Sequence, residues 1–319
     1  MTEVIQNSKF KISNLAPIVL FVYNRPWHTQ QTIEALKKNE LADKSDLIIY
    51  SDAPKKENAW PKVQELRDYL KSITGFKSLK IIERKENWGL AKSIISGVTE
   101  VVNKYGRIIV LEDDILTSQE FLKYMNHSLE AYQNKQKIWH INSWNYNINN
   151  EEDNEVFLCR LMHCWGWATW HNRWEKFEKN VDDIIGQYTR EKISHFNLDD
   201  TVPYWSQIEL NKNRTIDTWA VFWYATIHKN NGLCITPVNR YSNNIGTDGT
   251  GVHCGNEKYE DIKLATKINL NIVNEVKENV RWVKEIKTFL KNREPGLITK
   301  IWLKLKIESI RMALRWKKI

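Results

Sequence analysis

Arg107 to Leu116 reads RIIVLEDDIL. A run of apolar, largely β-branched residues stops at Glu112-Asp113-Asp114, and the chain then turns apolar again. The run has the length and composition of a strand buried on both faces. Three adjacent carboxylates at its end repel one another, so something has to stabilise them there. Two readings are open. Asp114 caps a helix that begins near Ser118, or the cluster holds a hard divalent cation, Mn2+ or Mg2+. Such cations take carboxylate oxygens and share their remaining positions with phosphates.

Upstream, the same pattern recurs three times. PIVLFVYNRP (Pro17 to Pro26), DLIIYSDAP (Asp46 to Pro54) and LKIIERKENWGL (Leu79 to Leu90) each read as a buried strand running into polar residues. Helical patterns lie between them, at Trp27 to Lys38, Lys62 to Ile73 and Ala91 to Lys104. Strand–helix alternation of this kind predicts a mostly parallel, Rossmann-like sheet. Ligands of such sheets bind at the carboxyl ends of the strands. The polar groups delivered there are Arg25, Asp52, Glu83 or Asn87, and the carboxylate cluster. No GxGxxG follows the first strand, so a dinucleotide cofactor is not expected.

The second half is less regular. Ser118 to Tyr132, Trp170 to Phe177 and Trp219 to Lys229 read as helices, and Leu233 to Pro237 as a strand. WHINSWNYN (Trp139 to Asn147) and VFLCRLMHCWGW (Val156 to Trp167) read as strands and loops. Asn239 to His253, with Gly246, Gly249 and Gly251, suits a mobile loop over a site. Tryptophan is the anomaly: the chain has fifteen, nine of them between Trp139 and Trp223. Indole faces stack on sugar C–H faces, and they also fill large aromatic cores. Both readings stand.

Composition bounds the rest. The 319 residues are 42% hydrophobic, enough for one large domain or somewhat more. The net charge of +8 is local: from Arg281 to Ile319, twelve Lys and Arg stand against three Glu, so the remaining residues sum to −1. A nucleic-acid-binding core is therefore not expected. The four cysteines, Cys159, Cys164, Cys234 and Cys254, form no CxxC pair and read as reduced core thiols. No apolar run approaches the ~20 residues of a membrane helix, and no secretion signal is visible.

In order, LFVYNRP, IIYSDAP, IIVLEDDI, HINSWNYN, CRLMHCWGWATW, IDTW and CITPVNRYSNNIGTDGTGVH resemble the GT-A-fold glycosyltransferases. The closer likeness is to glycosyltransferase family 13, the N-acetylglucosaminyltransferases, and it spans about Ala16 to His253. The resemblance implies an α/β GT-A fold with a nucleotide-sugar half (16–115) and an acceptor half (116–262), after an extension (1–15) and before a basic helical tail (263–319). It implies Asp114 as the direct metal ligand, Glu112 and Asp113 on donor sugar and ribose, Asp52 on the uracil edge and Arg25 near the diphosphate. It further implies Trp144, Asn145, Gly166 and Trp167 around the donor, and His253 in a segment that orders over it. Here Cys164 stands where the family's Gly-x-Gly-Trp region has its first glycine. Asp217 matches the catalytic base, with Glu209 and Asp200 as fallbacks; an Asp at this point is also a common helix cap.

The implied activity is metal-dependent, inverting transfer of a hexose, GlcNAc first, from a UDP-sugar to a glycan or lipid-linked saccharide of the cell surface. Gly296 to Ile319 separates Lys300, Lys304, Arg311 and Arg315 from Ile298, Trp302, Leu305 and Trp316 by helical spacing. That pattern fits a helix on an anionic membrane surface, or one packed on protein. A cytoplasmic, peripheral enzyme is the expectation. The competing readings are a sugar-nucleotide nucleotidyltransferase, although Asn24-Arg25-Pro26 is no glycine-rich phosphate loop, and a saccharide-binding protein without catalysis.

Overall fold

The computed structural model describes residues 14–148, 156–249, 263–268 and 272–292. The contacts divide the chain into two units, residues 1–179 with 218–282, and residues 180–217 with 283–319.

In chain order the first unit contains β1 (Ile18–Val22), α1 (Pro26–Lys37), β2 (Asp46–Ser51), α2 (Trp60–Lys71), β3 (Ser78–Glu83), α3 (Gly89–Tyr105) and β4 (Arg107–Glu112). It continues with β5 (Ile115–Thr117), α4 (Phe121–Tyr132), β6 (Ile138–Asn142), β7 (Val156–Cys159), β8 (Trp167–Trp170) and α5 (His171–Trp174). Three short helices of the second unit follow, α6 (Val181–Gln187), α7 (Arg190–Phe196) and α8 (Ser206–Lys212). The chain then returns to the first unit with α9 (Ala220–Lys229), β9 (Leu233–Pro237) and β10 (Ser242–Asn244), and α10 (Val280–Asn292) crosses the boundary between the units.

β1 is buried throughout because its side chains alternate between two cores. Ile18, Leu20 and Val22 enter one, packed with Ile33, Leu36, Leu66 and Leu70 from α1 and α2. Val19 and Phe21 enter the other, with Ile94, Val98 and Val102 from α3. α1 starts with Pro26 in its first turn, where a missing N–H leaves no bond unmade.

The main sheet has the order β3-β2-β1-β4-β8-β6-β9-β7. β1 runs parallel to β2 and β4, and β3 parallel to β2. β8 is antiparallel to both β4 and β6, so β6 runs in the direction of β4. The carboxyl ends of β4 and β6 therefore share one edge, two strands or about 10 Å apart. β5 and β10 form a separate antiparallel ribbon, with Thr117 opposite Ser242 and Ile115 opposite Asn244. The architecture is the mixed α/β arrangement expected, with a parallel side formed by β3, β2, β1 and β4.

Two open alternatives are narrowed and one reading of the sequence is corrected. Asp114 caps no helix: β5 follows it, and α4 begins at Phe121 behind Glu120, whose side chain makes no capping bond. The segment Asn239 to His253, where described, is not a soft loop. Tyr241 to Gly246 are buried and include β10. Ser242 and Asn244 look like loop residues, but their side chains bond inside the protein, to the Trp165 carbonyl and the Asp114 carboxylate. Gly251 and His253 lie outside the described residues. The tryptophans are mainly core: eight of the nine between Trp139 and Trp223 are buried, and Trp165 alone is half-buried.

In the second unit, Asn180 and Thr189 cap α6 and α7 by accepting bonds from the Asp183 and Lys192 amides. Trp205 packs against Tyr188 at 4.7 Å and Phe196 at 5.6 Å. Lys287 of α10 pairs with Asp199 at 2.9 Å. Residues 263–282, expected to begin the tail, group with the first unit. Trp282 stacks on Phe157 at 5.3 Å, and Arg160 pairs with Glu278. Residues 296–319 lie outside the described residues. Among the described residues no helix is long and apolar enough to cross a membrane.

Candidate active site

The carboxyl edge of β1, β2 and β4 collects the charged residues singled out in the sequence. Arg25 follows β1, Asp52 follows β2, and Glu112 closes β4 just before Asp113 and Asp114. Asp113 and Asp114 are buried, and the Arg25 guanidinium bonds both, reaching Asp114 Oδ2 at 2.6 Å. The main chain fixes the pair: Thr32 Oγ1 donates to the Asp113 carbonyl at 2.9 Å, and the Ile245 amide to the Asp114 carbonyl at 2.9 Å. Asn244 Nδ2 approaches Asp114 Oδ1 at 3.4 Å.

One guanidinium faces three carboxylates. Burial works against the Arg25 charge, but Asp113 and Asp114 outweigh it and hold its pKa above the ordinary value. Burial, then Asp114 and Asp113, push Glu112 up to about 8 against the pull of Arg25. Burial also dominates at Asp113, raised to about 6 although Arg25 opposes it. The cluster carries more negative charge than the protein neutralises. That surplus, on hard oxygen donors, fits a divalent cation. Among the described residues no three His, Cys, Asp or Glu groups converge as a metal cage. The fit is to a cation held by one or two carboxylates and completed by phosphate oxygens.

β10 and the residues after it lie over the cluster. Gly246 packs so closely that a Cβ there would sit 2.1 Å from Asp114 Oδ2 and 2.9 Å from the Arg25 guanidinium. Two residues on, Asp248 meets His28 of α1 at 3.0 Å. The β10 segment is thus fastened to the cluster and to the amino end of α1. The sequence marked its glycines but not this contact.

Asp52 is buried with both oxygens engaged. It accepts bonds from the amides of Ala53 at 3.0 Å, Trp88 at 2.9 Å and Gly89 at 2.9 Å, which anchors the start of α3. Arg84, at the end of β3, lies 3.5 Å over the Trp88 ring and 5.1 Å over Tyr50. Its Nε and one terminal nitrogen are buried without a partner, and burial lowers its pKa. Glu83, an alternative for this strand end, pairs with Arg67 at 3.5 Å, and Asn87 donates to the Ala53 carbonyl at 2.6 Å. Arg84 and Trp88 went unnoticed in the sequence, where the only signal was a cation and an indole within ERKENW.

At the end of β6, Trp144 lies edge-on to Tyr146, His163 and Trp165 at 4.9, 4.8 and 4.7 Å, with the Arg240 guanidinium 4.7 Å from its ring centre. Gly166 forms the turn beneath, at φ +82°, where a Cβ would lie 2.5 Å from Ser143 Oγ. Gly166 thus serves close packing. Trp167 is corrected: it is fully buried in β8, stacked on His140 and Trp219 at 5.2 Å each, and presents no surface to a donor. The alternation of the strand turns it into the core.

Asp217 is exposed and ends the first stretch of the second unit. Asp200 and Glu209, also in the second unit, are exposed, and Asp200 accepts a bond from Ser194 at 2.6 Å.

A cavity of about 340 Å3 opens at the opposite, amino-terminal edge of the parallel strands, lined by Asn14, Lys44, Asp46, Lys77 and Arg107 among others. Its Lys77 and Arg107 already pair with Asp46 at 3.1 Å and Glu130 at 2.9 Å. The carboxyl edge, where such sheets bind ligands, is the better candidate.

Comparison with known proteins bears on this edge. Among solved structures, the mannosyltransferase PcManGT from Pyrobaculum calidifontis, in complex with GDP-Man and Mn2+, aligns at 8% identity and TM-score 0.38, over 69% of this chain and 70% of that one. S. aureus TarS aligns at 13% identity and TM-score 0.29, over 44% of this chain and 24% of that one. Its 1–349 form aligns at 10% and 0.33, over 48% and 47%. Likenesses this distant assign no residue roles. No curated protein sequence matches the chain. The profile of the family described as Glycosyl transferase family 2 matches residues 18–188, which include Arg25, Asp52, the carboxylate cluster and the Trp144 group. That match covers more than half of the sequence, and the chain belongs to glycosyl transferase family 2.

Proposed function

We propose that the chain is a metal-dependent, inverting glycosyltransferase that takes a hexose, GlcNAc first, from a UDP-sugar and places it on a saccharide acceptor. Transfer of a sugar follows from the family; the metal, the uridine, the inversion and the acceptor are the proposal. One observation carries it: three carboxyl groups at the end of β4 share one guanidinium, which leaves the cluster short of positive charge. Family membership sets the nucleotidyltransferase reading aside. The family 13 likeness, finer than the family 2 match, contributes only the residue roles given next.

Asp114 would hold the cation, which when bound supplies Lewis-acid stabilisation to the departing diphosphate, with Glu112 and Asp113 proposed for the donor sugar and the ribose. Arg25, which pairs with both Asp113 and Asp114, is proposed to orient a diphosphate at the same edge. Asp52, fixed by three amides, and the Arg84–Trp88 stack are proposed for the uracil end. Inversion needs a base that takes the acceptor hydroxyl proton on the face opposite the leaving group. Asp217 is proposed for that proton, which passes to its carboxylate as the new glycosidic oxygen–carbon bond forms and the bond to the diphosphate breaks.

Hydrolysis of a set of UDP-sugars, with and without Mn2+, tests the proposal. Turnover of at least one donor that depends on the metal supports it. Donor turnover indifferent to Mn2+ and to chelation contradicts metal dependence, and binding of sugars without any turnover favours the non-catalytic reading. Residues 296–319 are proposed for an anionic membrane surface on their charge pattern. Failure of the full chain to sediment with anionic vesicles at low salt removes that part alone.

A further inference from the structure

The group at the end of β6 combines two features that rarely meet in a finished core. Its walls are aromatic rings, and its polar atoms lack partners. Trp144 Nε1, Asn145 Nδ2 and His163 Nε2 are all buried with no hydrogen-bond partner among the described residues. The orientation of the Asn145 amide is fixed, because its Oδ1 accepts the Tyr146 amide at 2.8 Å. Asn145 Nδ2 and the Trp144 indole N–H are therefore donors awaiting acceptors. Native cores pair such groups, and an unpaired one is costly, so this cluster calls for an oxygen-bearing occupant.

The surroundings say which kind. Burial, with His140 and Arg240 nearby, holds His163 far below its usual range, to about 3, so its ring is neutral and suits a hydroxyl. His163 and Trp165 are only half-buried, which leaves the group an open side. Rings around a set of donors match a pyranose, whose C–H faces lie on aromatics while its hydroxyl oxygens accept bonds. The position separates this group from the carboxylates. It occupies the same edge of the sheet, two strands from β4.

We infer that Trp144, Asn145, His163 and Trp165 form the subsite for the acceptor saccharide, beside the donor site at the end of β4. The inference rests on the reading of the chain as a glycosyltransferase, and it moves Trp144 and Asn145 from the donor to the acceptor. The Arg240 side chain, which donates to the Asn145 carbonyl, holds the Trp144 ring in place from behind.

Saturation-transfer NMR on the full chain, with donor and metal absent, tests it with methyl hexopyranosides and methyl N-acetylhexosaminides as probes. At least one probe is expected to bind. Trp144→Phe and His163→Phe each keep a ring and remove a polar atom, and each is expected to weaken binding about tenfold, the worth of one hydrogen bond. Melting curves verify that the variants fold. Asp114→Asn, in the donor site, is expected to leave probe binding within about twofold of wild type. A wild type that hydrolyses a UDP-sugar but binds no probe overturns the subsite and spares the transferase reading. Probe binding that survives both ring substitutions, or that falls with Asp114→Asn, also overturns it. Probe binding without turnover of any donor spares the subsite and overturns the transferase.

Discussion

Two stations on one sheet edge are unfinished in opposite ways. At the end of β4, three carboxylates meet one guanidinium, and the deficit is positive charge. At the end of β6, three buried polar atoms lack partners, and the deficit is hydrogen-bond acceptors. Behind both lies a tryptophan core whose polar atoms are mostly paired: Trp223 Nε1 donates to His140 Nδ1 at 3.1 Å, and Trp174 Nε1 to Thr99 at 2.9 Å, while Trp167 Nε1 is buried without a partner among the described residues. The contrast separates binding surface from scaffold on physical grounds. Open bonds mark a binding surface where several of them gather beside partly exposed side chains, as at the end of β6; the single open indole N–H of Trp167 lies enclosed in the core.

The largest stability effect is expected from the scaffold. Trp167→Ala removes a fully buried indole stacked on His140 and Trp219. It should cost roughly 3–5 kcal/mol, read as a lower denaturant midpoint. A cost near zero would return Trp167 to the list of surface candidates. Next comes Arg25→Ala. It strips from the cluster the one guanidinium that pairs with it among the described residues and should cost about 3 kcal/mol, because it leaves buried carboxylates uncompensated. Mn2+ should restore much of that loss in the variant, and an equal response of wild type and variant to Mn2+ would deny the cluster its charge deficit. Gly246→Ala should cost roughly 1–3 kcal/mol and disturb donor binding, since the new methyl falls on Asp114 Oδ2.

The smallest effect is a pH dependence in the scaffold. Burial holds His140 at about 3, against 6.5 for a free histidine, so the native state stays neutral where the unfolded chain takes a proton. Its contribution is complete above pH 6.5 and is lost as pH falls from there toward 3, by about 1.4 kcal/mol per pH unit. His140→Gln should change the dependence of stability on pH between about 6.5 and 5 by about that slope, leaving the share of His163, which burial also holds at about 3. A variant with the wild-type slope would assign the acid sensitivity elsewhere.

Much of the parallel half was legible in the sequence because each strand and helix carries its own local period. RIIVLE and IVLFV need no distant partner to be recognised. β10 was not legible. Its SNN side chains are polar, and only the partners at Trp165 and Asp114, far away in the chain, make them buried strand residues. The tryptophans were ambiguous because one residue type serves core and sugar alike. Position divides them, with Trp167 and Trp223 in the core and Trp144, buried, packed on the half-buried Trp165 at the end of β6. The carboxylate cluster could be found from its sequence, but its imbalance could not, since that depends on Arg25 arriving from β1.

The central claim is that the end of β4 binds a cation together with a nucleotide diphosphate. Calorimetric titration of UDP into the full chain, with and without Mn2+, in wild type and Asp114→Asn, tests it most directly. The account predicts that Mn2+ tightens UDP binding at least about tenfold in wild type and has no effect in the variant. Equal UDP affinity with and without Mn2+ in wild type, or an undiminished Mn2+ effect in Asp114→Asn, would contradict it.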